Sequence, residues 1–169
     1  SSGTKTVTLN ISNGYCSASA TTTITVGETP EVDFTSTAPE CTGLNVDFIN
    51  TGSSANCTFS WDFGSGAAPA TSTTENPSGI TYFTAGTKQV QLTITNTISG
   101  CTENITKEIL IRQTPFVGFN YSGDDCLSEE FDFNNTGSTG SQWTYNWDFG
   151  DGSTPSTSTA ENPVGINYT

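Results

Sequence analysis

The chain contains no histidine, and this absence removes several kinds of catalytic and metal site. Ser-His-Asp triads, Cys-His nucleophiles and zinc centres with histidine ligands all require an imidazole. A pair of carboxylates in a cleft could still support acid–base chemistry, but no spacing in the sequence singles out such a pair. We therefore expect that the protein is not an enzyme.

Basic residues are scarce. Four Lys and Arg stand against 17 Asp and Glu, which gives a formal net charge of −13 at pH 7. Nucleic acids and anionic membranes are bound by positively charged surfaces, so neither is an expected partner. No apolar run is long enough to insert into a bilayer. The charge is typical of a solvated acidic surface.

Strong helix formers are also rare, since Met is absent and Leu, Lys and Gln are few. Ten Phe, five Tyr and three Trp are instead spread along the chain in β-type patterns. These patterns predict an all-β protein, and the length of 169 residues allows about two domains. A disordered stalk rich in Ser and Thr is the alternative, which the recurring aromatic strands oppose.

The sequence also contains an internal repeat. The stretch CTGLNVDFINTGSS from Cys41 returns as CLSEEFDFNNTGST from Cys126, 85 residues later. The stretches FSWDFGSG and ENPSGITY return as YNWDFGDG and ENPVGINY, 86 residues later. The match then continues at the other end of the chain. TAGTKQVQLTITN from Thr84 aligns without a gap with SSGTKTVTLNISN from Ser1, and Cys101 meets Cys16 after a two-residue shortening.

The simplest interpretation of this repeat is a unit of a longer periodic array. Residues 1–28 would be the C-terminal half of one module, comprising its last two strands, F and G. Residues 29–112 would be a complete module. Residues 113–169 would be strands A to E of a further module, completed by residues 1–28 of the next copy. A cut made without regard to the modules would require the register match to be chance.

Alternation of apolar and polar residues predicts about seven strands in residues 29–112, separated by Gly, Pro, Asn and Ser clusters. This number and spacing favour an immunoglobulin-like sandwich. In VQLTIT, the side chains of Val90, Leu92 and Ile94 are expected to point into the core. The predicted strands are 31–36, 44–50, 58–63, a short pair between 71 and 83, 87–96 and 102–111.

The motif WDFGSG or WDFGDG, followed by NP, a Tyr, a Gly four residues later and a V-x-L-x-I strand, resembles the PKD domain, named after polycystic kidney disease protein. The resemblance covers nearly the whole chain and implies tandem PKD-type sandwiches. It implies inward Trp and Phe, an outward Asp, a Gly with positive φ and a core Tyr with a polar tip. These core-motif residues are Trp61, Asp62, Phe63, Gly64 and Tyr82, and again Trp147, Asp148, Phe149, Gly150 and Tyr168.

The cysteine positions further resemble PKD arrays of Bacteroidota cell-surface adhesins and filament proteins. That resemblance implies an extracellular structural repeat of a fibre, stalk or adhesin, whose partners are copies of itself, with surface polysaccharide or other cells as further candidates. The alternative is a carbohydrate-binding or spacer module of a secreted hydrolase, with Trp143 and Tyr145 as the candidate sugar-stacking pair. A third possibility is separate subunits, in which the hairpin of residues 3–26 completes a neighbour's sandwich by strand donation.

Five cysteines indicate an oxidising compartment. Cys41 and Cys126 precede the second strand of their modules, while Cys16 and Cys101 lie at the last turn, which is roughly 25 Å away at the other end of a sandwich. A disulfide bridges Cα atoms at most about 7 Å apart. We therefore expect Cys41 to bond Cys16 of the following copy, and Cys126 to bond Cys101 of the following copy. Cys57 is expected to be a buried free thiol, with a Cys57–Cys101 bond as the competing arrangement.

Several acidic residues are candidate ligands for Ca²⁺, which prefers carboxylate oxygens. Their spacing does not match an EF-hand loop, and solvated loop acids are the preferred interpretation. We therefore expect no cofactor. The candidate residues are Asp124, Asp125, Asp148 and Asp151.

Overall fold

A computed structural model of the chain describes residues 1–123 and 129–169 and divides it into two compact units, Ser1–Thr114 and Pro115–Thr169. All the regular secondary structure in the described ranges consists of β-strands, so the all-β prediction is confirmed. Within these ranges, no helix has the length and apolar character needed to cross a membrane.

The first unit contains twelve strands and the second contains six, counted over the described residues. The strands of the first unit are β1 (Gly3–Ser12), β2 (Ser17–Val26), β3 (Phe34–Ser36), β4 (Glu40–Cys41), β5 (Asn45–Val46), β6 (Phe48–Asn50), β7 (Cys57–Asp62), β8 (Ala67–Ala68), β9 (Thr71–Ser72), β10 (Ile80–Tyr82), β11 (Gly86–Asn96) and β12 (Thr102–Arg112). Those of the second unit are β13 (Phe119–Ser122), β14 (Glu130–Asn135), β15 (Trp147–Asp148), β16 (Ser153–Thr154), β17 (Thr157–Ser158) and β18 (Ile166–Tyr168).

Strands β3 to β12 form the predicted sandwich. One sheet has the order β4-β12-β11-β7-β9, a second has the order β5-β10-β8, and β3 pairs with β6. The strand predictions hold for most of this domain, but the expected strand at 44–50 is divided into β5 and β6. Strand β4 was not predicted, because two residues are too few to show alternation. It pairs parallel to the end of β12, with Cys41 opposite Arg112.

The core of this sandwich follows from the period of two along its strands. Val90, Leu92 and Ile94 of β11 are completely buried, as the alternation of VQLTIT predicts. Burying each such side chain contributes about 1.5–3 kcal/mol. An aromatic cluster packs beneath β7, where the rings of Trp61 and Phe63 stack with centroids 5.9 Å apart. The other buried apolar residues are Phe34, Val46, Phe48, Ile80, Tyr82, Ile109 and Ile111.

Strands β1 and β2 form a separate two-stranded hairpin. Its ladder runs from Gly3 opposite Val26 to Ser12 opposite Ser17. The ladder of β11 and β12 has the same register, from Gly86 opposite Ile111 to Thr95 opposite Thr102. Four residues connect the paired strands in the hairpin and six in the sandwich, so the two-residue shortening is confirmed.

The second unit repeats the first part of the sandwich. Strands β13, β14, β18 and β16 form one sheet, and β15 pairs with β17. Each of these pairings has a counterpart in the first unit, because β3 pairs with β6, β5 and β8 with β10, and β7 with β9. Residues 115–169 therefore repeat the strand pairings that β3 to β10 make in the sandwich.

Candidate functional site

The aspartates of the two WDFG motifs shape the turns that follow them. The Gly64 N–H donates to Asp62 Oδ1 at 2.8 Å, and the Gly150 N–H donates to Asp148 Oδ1 at 3.0 Å. Both glycines have positive φ, 76° at Gly64 and 78° at Gly150. An Asp that accepts a hydrogen bond from the backbone two residues later is a recurrent turn device. Both aspartates are exposed and serve the local backbone.

The tryptophan of each motif forms a hydrogen bond to the backbone of a connecting segment 13 residues later in the chain. Trp61 Nε1 donates to the Thr74 carbonyl at 2.9 Å, and Trp147 Nε1 donates to the Ala160 carbonyl at 2.8 Å. Trp61 is buried, whereas Trp147 is only half-buried. Phe63 and Phe149 are both buried.

The tyrosines at the ends of β10 and β18 form a hydrogen bond to the backbone of the WDFG motif in their own unit. Tyr82 donates its hydroxyl to the Phe63 carbonyl at 2.8 Å, and Tyr168 donates to the Phe149 carbonyl at 3.0 Å. Burial, followed by the negative charge of Asp62, raises the pKa of Tyr82 to about 12. The phenol therefore stays protonated at neutral pH and acts as a structural donor.

The hairpin of β1 and β2 exposes an apolar face that has a buried counterpart in the sandwich. Three side chains of β1 occupy the positions that β11 fills with core residues. Their exposed fractions are 48% for Val7, 60% for Leu9 and 64% for Ile11, against 0% for Val90, Leu92 and Ile94. In β2, Ile24 and Val26 are likewise exposed at the positions of Ile109 and Ile111.

The second unit has an open groove of about 410 Å³ beside residues 143–148. Phe119 is 58% exposed there, whereas Phe34 at the matching position of the sandwich is 2% exposed. The groove is lined by Phe116, Phe119, Trp143, Tyr145, Trp147 and Asp148, among others. Sequence reasoning singled out Trp143 and Tyr145 but missed Phe119, which the 85-residue offset from Phe34 could have revealed.

The backbone edge along this groove is also open. In the sandwich, β7 lies between β9 and β11. In the second unit, β15 pairs with β17 on the side that corresponds to β9. On the side that corresponds to β11, no strand within residues 115–123 and 129–169 pairs with β15. The groove and the open edge together form a surface that matches the one on which β11 packs in the sandwich.

The cysteines occupy opposite ends of the sandwich. Cys41 pairs with Arg112 at the end of β12, while Cys101 comes just before its first residue, Thr102. Eleven residues of extended chain span roughly 35 Å, so these two thiols do not meet within the domain. Gly27 lies against Cys101, since a Cβ built on Gly27 would be 3.0 Å from its Sγ. Cys101 therefore marks the incoming linker of the domain and Cys41 the outgoing one.

The competing Cys57–Cys101 bond does not fit this sheet. Cys57 lies opposite Asn96 on one side, and the Asn96 N–H donates to the Cys101 carbonyl on the other, at 2.9 Å. Two strand spacings are roughly 9.5 Å, beyond the reach of about 7 Å between disulfide Cα atoms. The thiol of Cys57 is free, as expected, but the residue is half-buried and not buried, so that part of the expectation was wrong. Cys16 is exposed, Cys126 lies outside the described residues, and the bonds between copies stay a prediction.

The candidate calcium ligands do not form a cluster in the part of the chain that the structure describes. There, no three Cys, Asp or Glu side chains converge as metal ligands. Asp148 accepts the Gly150 N–H, and Asp151 is exposed beside it. Asp124 and Asp125 lie outside the described residues.

Comparison with known families agrees with this geometry. The family model described as PKD domain matches residues 27–111, which is the whole sandwich and half of the chain. The chain belongs to the PKD family. PKD domains are generally non-catalytic immunoglobulin-like modules and typically occur in extracellular or cell-surface proteins. No curated protein matches the chain. The hydrogen bonds of the PKD motif recur in residues 115–169, which lie outside the matched range.

Proposed function

We propose that the chain is a structural repeat unit of an extracellular fibre, stalk or adhesin built from tandem PKD-like domains. Residues 29–112 are the complete domain. Residues 113–169 form the first half of a second domain, which residues 1–28 of the next copy complete. The main support is the hairpin, which carries apolar residues at all five positions where β11 and β12 bury Val90, Leu92, Ile94, Ile109 and Ile111.

The exposed face gives a physical reason for assembly. Five half-exposed aliphatic side chains that become buried would contribute on the order of 5 kcal/mol before the entropy cost of association. The single chain leaves these side chains in solvent. Docking of the hairpin onto another first half would remove both the apolar surface and an open sheet edge, a feature that natural proteins avoid.

The proposed role is mechanical. Along each copy, the long antiparallel ladder of β11 and β12 and the aromatic core around Trp61 would resist extension. In a quasi-one-dimensional array, stability also depends on the interfaces between neighbouring modules. The net charge of −13 would keep such a fibre dispersed in water.

A carbohydrate-binding or spacer module of a secreted hydrolase is the second candidate. Trp143 and Tyr145 line the open groove and offer aromatic surface to a sugar ring. Tyr145 also donates its hydroxyl to the Ser138 carbonyl at 3.2 Å, which holds its ring in place. The two candidates compete for the same surface, because a hairpin seated in the groove would cover these rings.

Electron microscopy of the native assembly, together with glycan-binding measurements, tests the proposal. We expect an axial repeat made of two domains per copy and no glycan affinity that depends on Trp143 or Tyr145. A filament without a domain repeat would contradict the structural role. Glycan binding that is lost in Trp143→Ala and Tyr145→Ala, but kept in Trp61→Phe, would favour the second candidate.

A further inference from the structure

We propose that the open edge at residues 143–148 binds β1 of a second copy as an antiparallel strand in one register. In this register Leu9 lies opposite Trp147, and Ile11 lies opposite Tyr145. This inference deepens the proposed function and rests on it, because it names the receiving site and its occupant. The completed sheet would have the order β2-β1-β15-β17.

The register is taken from the sandwich, which contains the same arrangement in one piece. There, Leu92 of β11 lies opposite Trp61 of β7, and Ile94 lies opposite Phe59. Position 92 corresponds to Leu9 and position 61 to Trp147. A slip by one residue would turn Leu9 and Ile11 out of the groove. The apolar pattern of β1 therefore allows this pairing and opposes its immediate neighbours.

A glycine in the receiving unit leaves room for the backbone of β1. A Cβ on Gly64 would be only 2.5 Å from the Gln89 carbonyl oxygen of β11. Gly150 has nearly the same φ, yet nothing lies within 4 Å of its Cβ position. The residue of β1 that corresponds to Gln89 is Thr6. Gly150 thus keeps open the space that the Thr6 carbonyl would occupy.

The hairpin and the second unit both lack a charged residue that forms an ion pair in the sandwich. In the sandwich, Lys107 of β12 forms an ion pair with Asp33 near the start of the domain. The corresponding residues are Thr22 in β2 and Gly118 before β13. Both charges are absent, so joining the hairpin to residues 115–169 leaves neither a lone Lys nor a lone Asp. This matched loss is compatible with contact between the two segments.

The receiving groove already has the shape of the occupied site. Phe119 and Trp147 meet edge to face with ring centroids 5.2 Å apart, and Phe34 and Trp61 do so at 5.1 Å. Trp147 and Phe149 stack at 6.1 Å, close to the 5.9 Å of Trp61 and Phe63. The aromatic floor is therefore preorganised, which reduces the cost of binding a strand.

Cysteine cross-linking tests the register. The full chain is used with all five native cysteines replaced by Ser, and Asn10→Cys is combined with Asn146→Cys. Asn10 corresponds to Thr93 and Asn146 to Ser60, and these two residues face each other in the sandwich. The control combines Asn10→Cys with Thr144→Cys, a shift of two residues. Under mild oxidation we expect chain-to-chain disulfides at least about tenfold faster for the matched pair, because the shift adds about 7 Å. Equal rates, no bond between chains, or a bond within one chain would overturn the register.

Variants of β1 test the occupant. Leu9→Asp should abolish self-association in analytical ultracentrifugation without changing the melting temperature, since Leu9 is exposed in the single chain. Thr8 corresponds to Gln91, which faces solvent in the sandwich, so the Thr8→Asp variant should associate normally. Equal association of both variants would contradict the inference. If the native filament shows a domain repeat but the matched and shifted cysteine pairs react equally, the register is wrong and the proposed function stands. If the matched pair reacts selectively but no such filament exists, the proposed function is wrong and the register stands.

Discussion

Lys107 Nζ lies 2.5 Å from Asp33 Oδ1 and thereby joins the last strand of the PKD domain to the segment that opens it. The same ammonium donates to the Phe34 carbonyl at 2.6 Å and lies 5.1 Å from the centre of the Phe34 ring. Phe34 in turn packs edge-on against Trp61. One cation therefore connects the start of the domain, β12 and the aromatic core.

Replacement of this cation should change the titration of Asp33. The hydrogen bond from Lys107, followed by that from the Phe34 N–H, holds the Asp33 pKa below its ordinary value. The resulting stability is present above the pKa of the unfolded state, about 3.9, and is lost as pH falls through the lower folded value. In Lys107→Met, NMR titration should find a higher Asp33 pKa, and the stability difference from wild type should become smaller in acid, where only the contacts of Lys107 with Phe34 remain to be lost. Glu108→Gln is the control, and an unchanged Asp33 pKa would contradict this reasoning.

Removal of one buried hydroxyl should weaken the complete domain. Tyr82→Phe leaves the Phe63 carbonyl without its donor, at a cost of about 1–3 kcal/mol. Native-state hydrogen exchange of the β11 amides measures this loss directly. Tyr168→Phe is the matched control, because it removes the equivalent bond from the second unit. It should leave exchange in β11 unchanged, and equal effects of the two variants would show that the loss is not local.

The same tyrosine should make the domain sensitive to alkali. Its folded pKa of about 12 lies above the ordinary tyrosine value of about 10, so ionisation favours the unfolded chain. The stability should be complete below pH 10 and should be lost progressively as pH rises towards 12. The absorbance of phenolate during titration, compared with Tyr82→Phe, isolates this contribution. A Tyr82→Phe variant with the same alkaline loss would assign it to other groups.

Disulfides are predicted between copies rather than within a domain. Cys101 lies at the incoming linker and Cys41 at the outgoing end, so consecutive domains would bring unlike ends together. Non-reducing peptide mapping of the native assembly should find Cys41 joined to Cys16, and Cys126 joined to Cys101. Cys57→Ser should leave this map unchanged. Recovery of a Cys41–Cys101 peptide from a monomer would reject the prediction.

Some features of the protein could be predicted from local sequence. Alternation in β11 predicted which side chains are buried, because successive side chains of a strand point to opposite faces. The spacing between the WDFG motif and the later Tyr indicated the PKD family, because the motif leads into a short turn and the Tyr lies in a strand packed behind that turn. The repeat also predicted the hairpin register down to its two-residue shortening.

Other features required the tertiary structure. The contact of Lys107 with Asp33 joins residues far apart in the chain, and no local pattern specifies it. The parallel pairing of β4 and the positions of Cys57 and Cys101 on either side of Asn96 depend on how the whole sheet is ordered. The sequence by itself determined most of the strands, their inward faces and the internal repeat, because these depend on neighbours along the chain. Only the tertiary structure decided which edge and groove stay open, because that depends on which strands pair across the sheet.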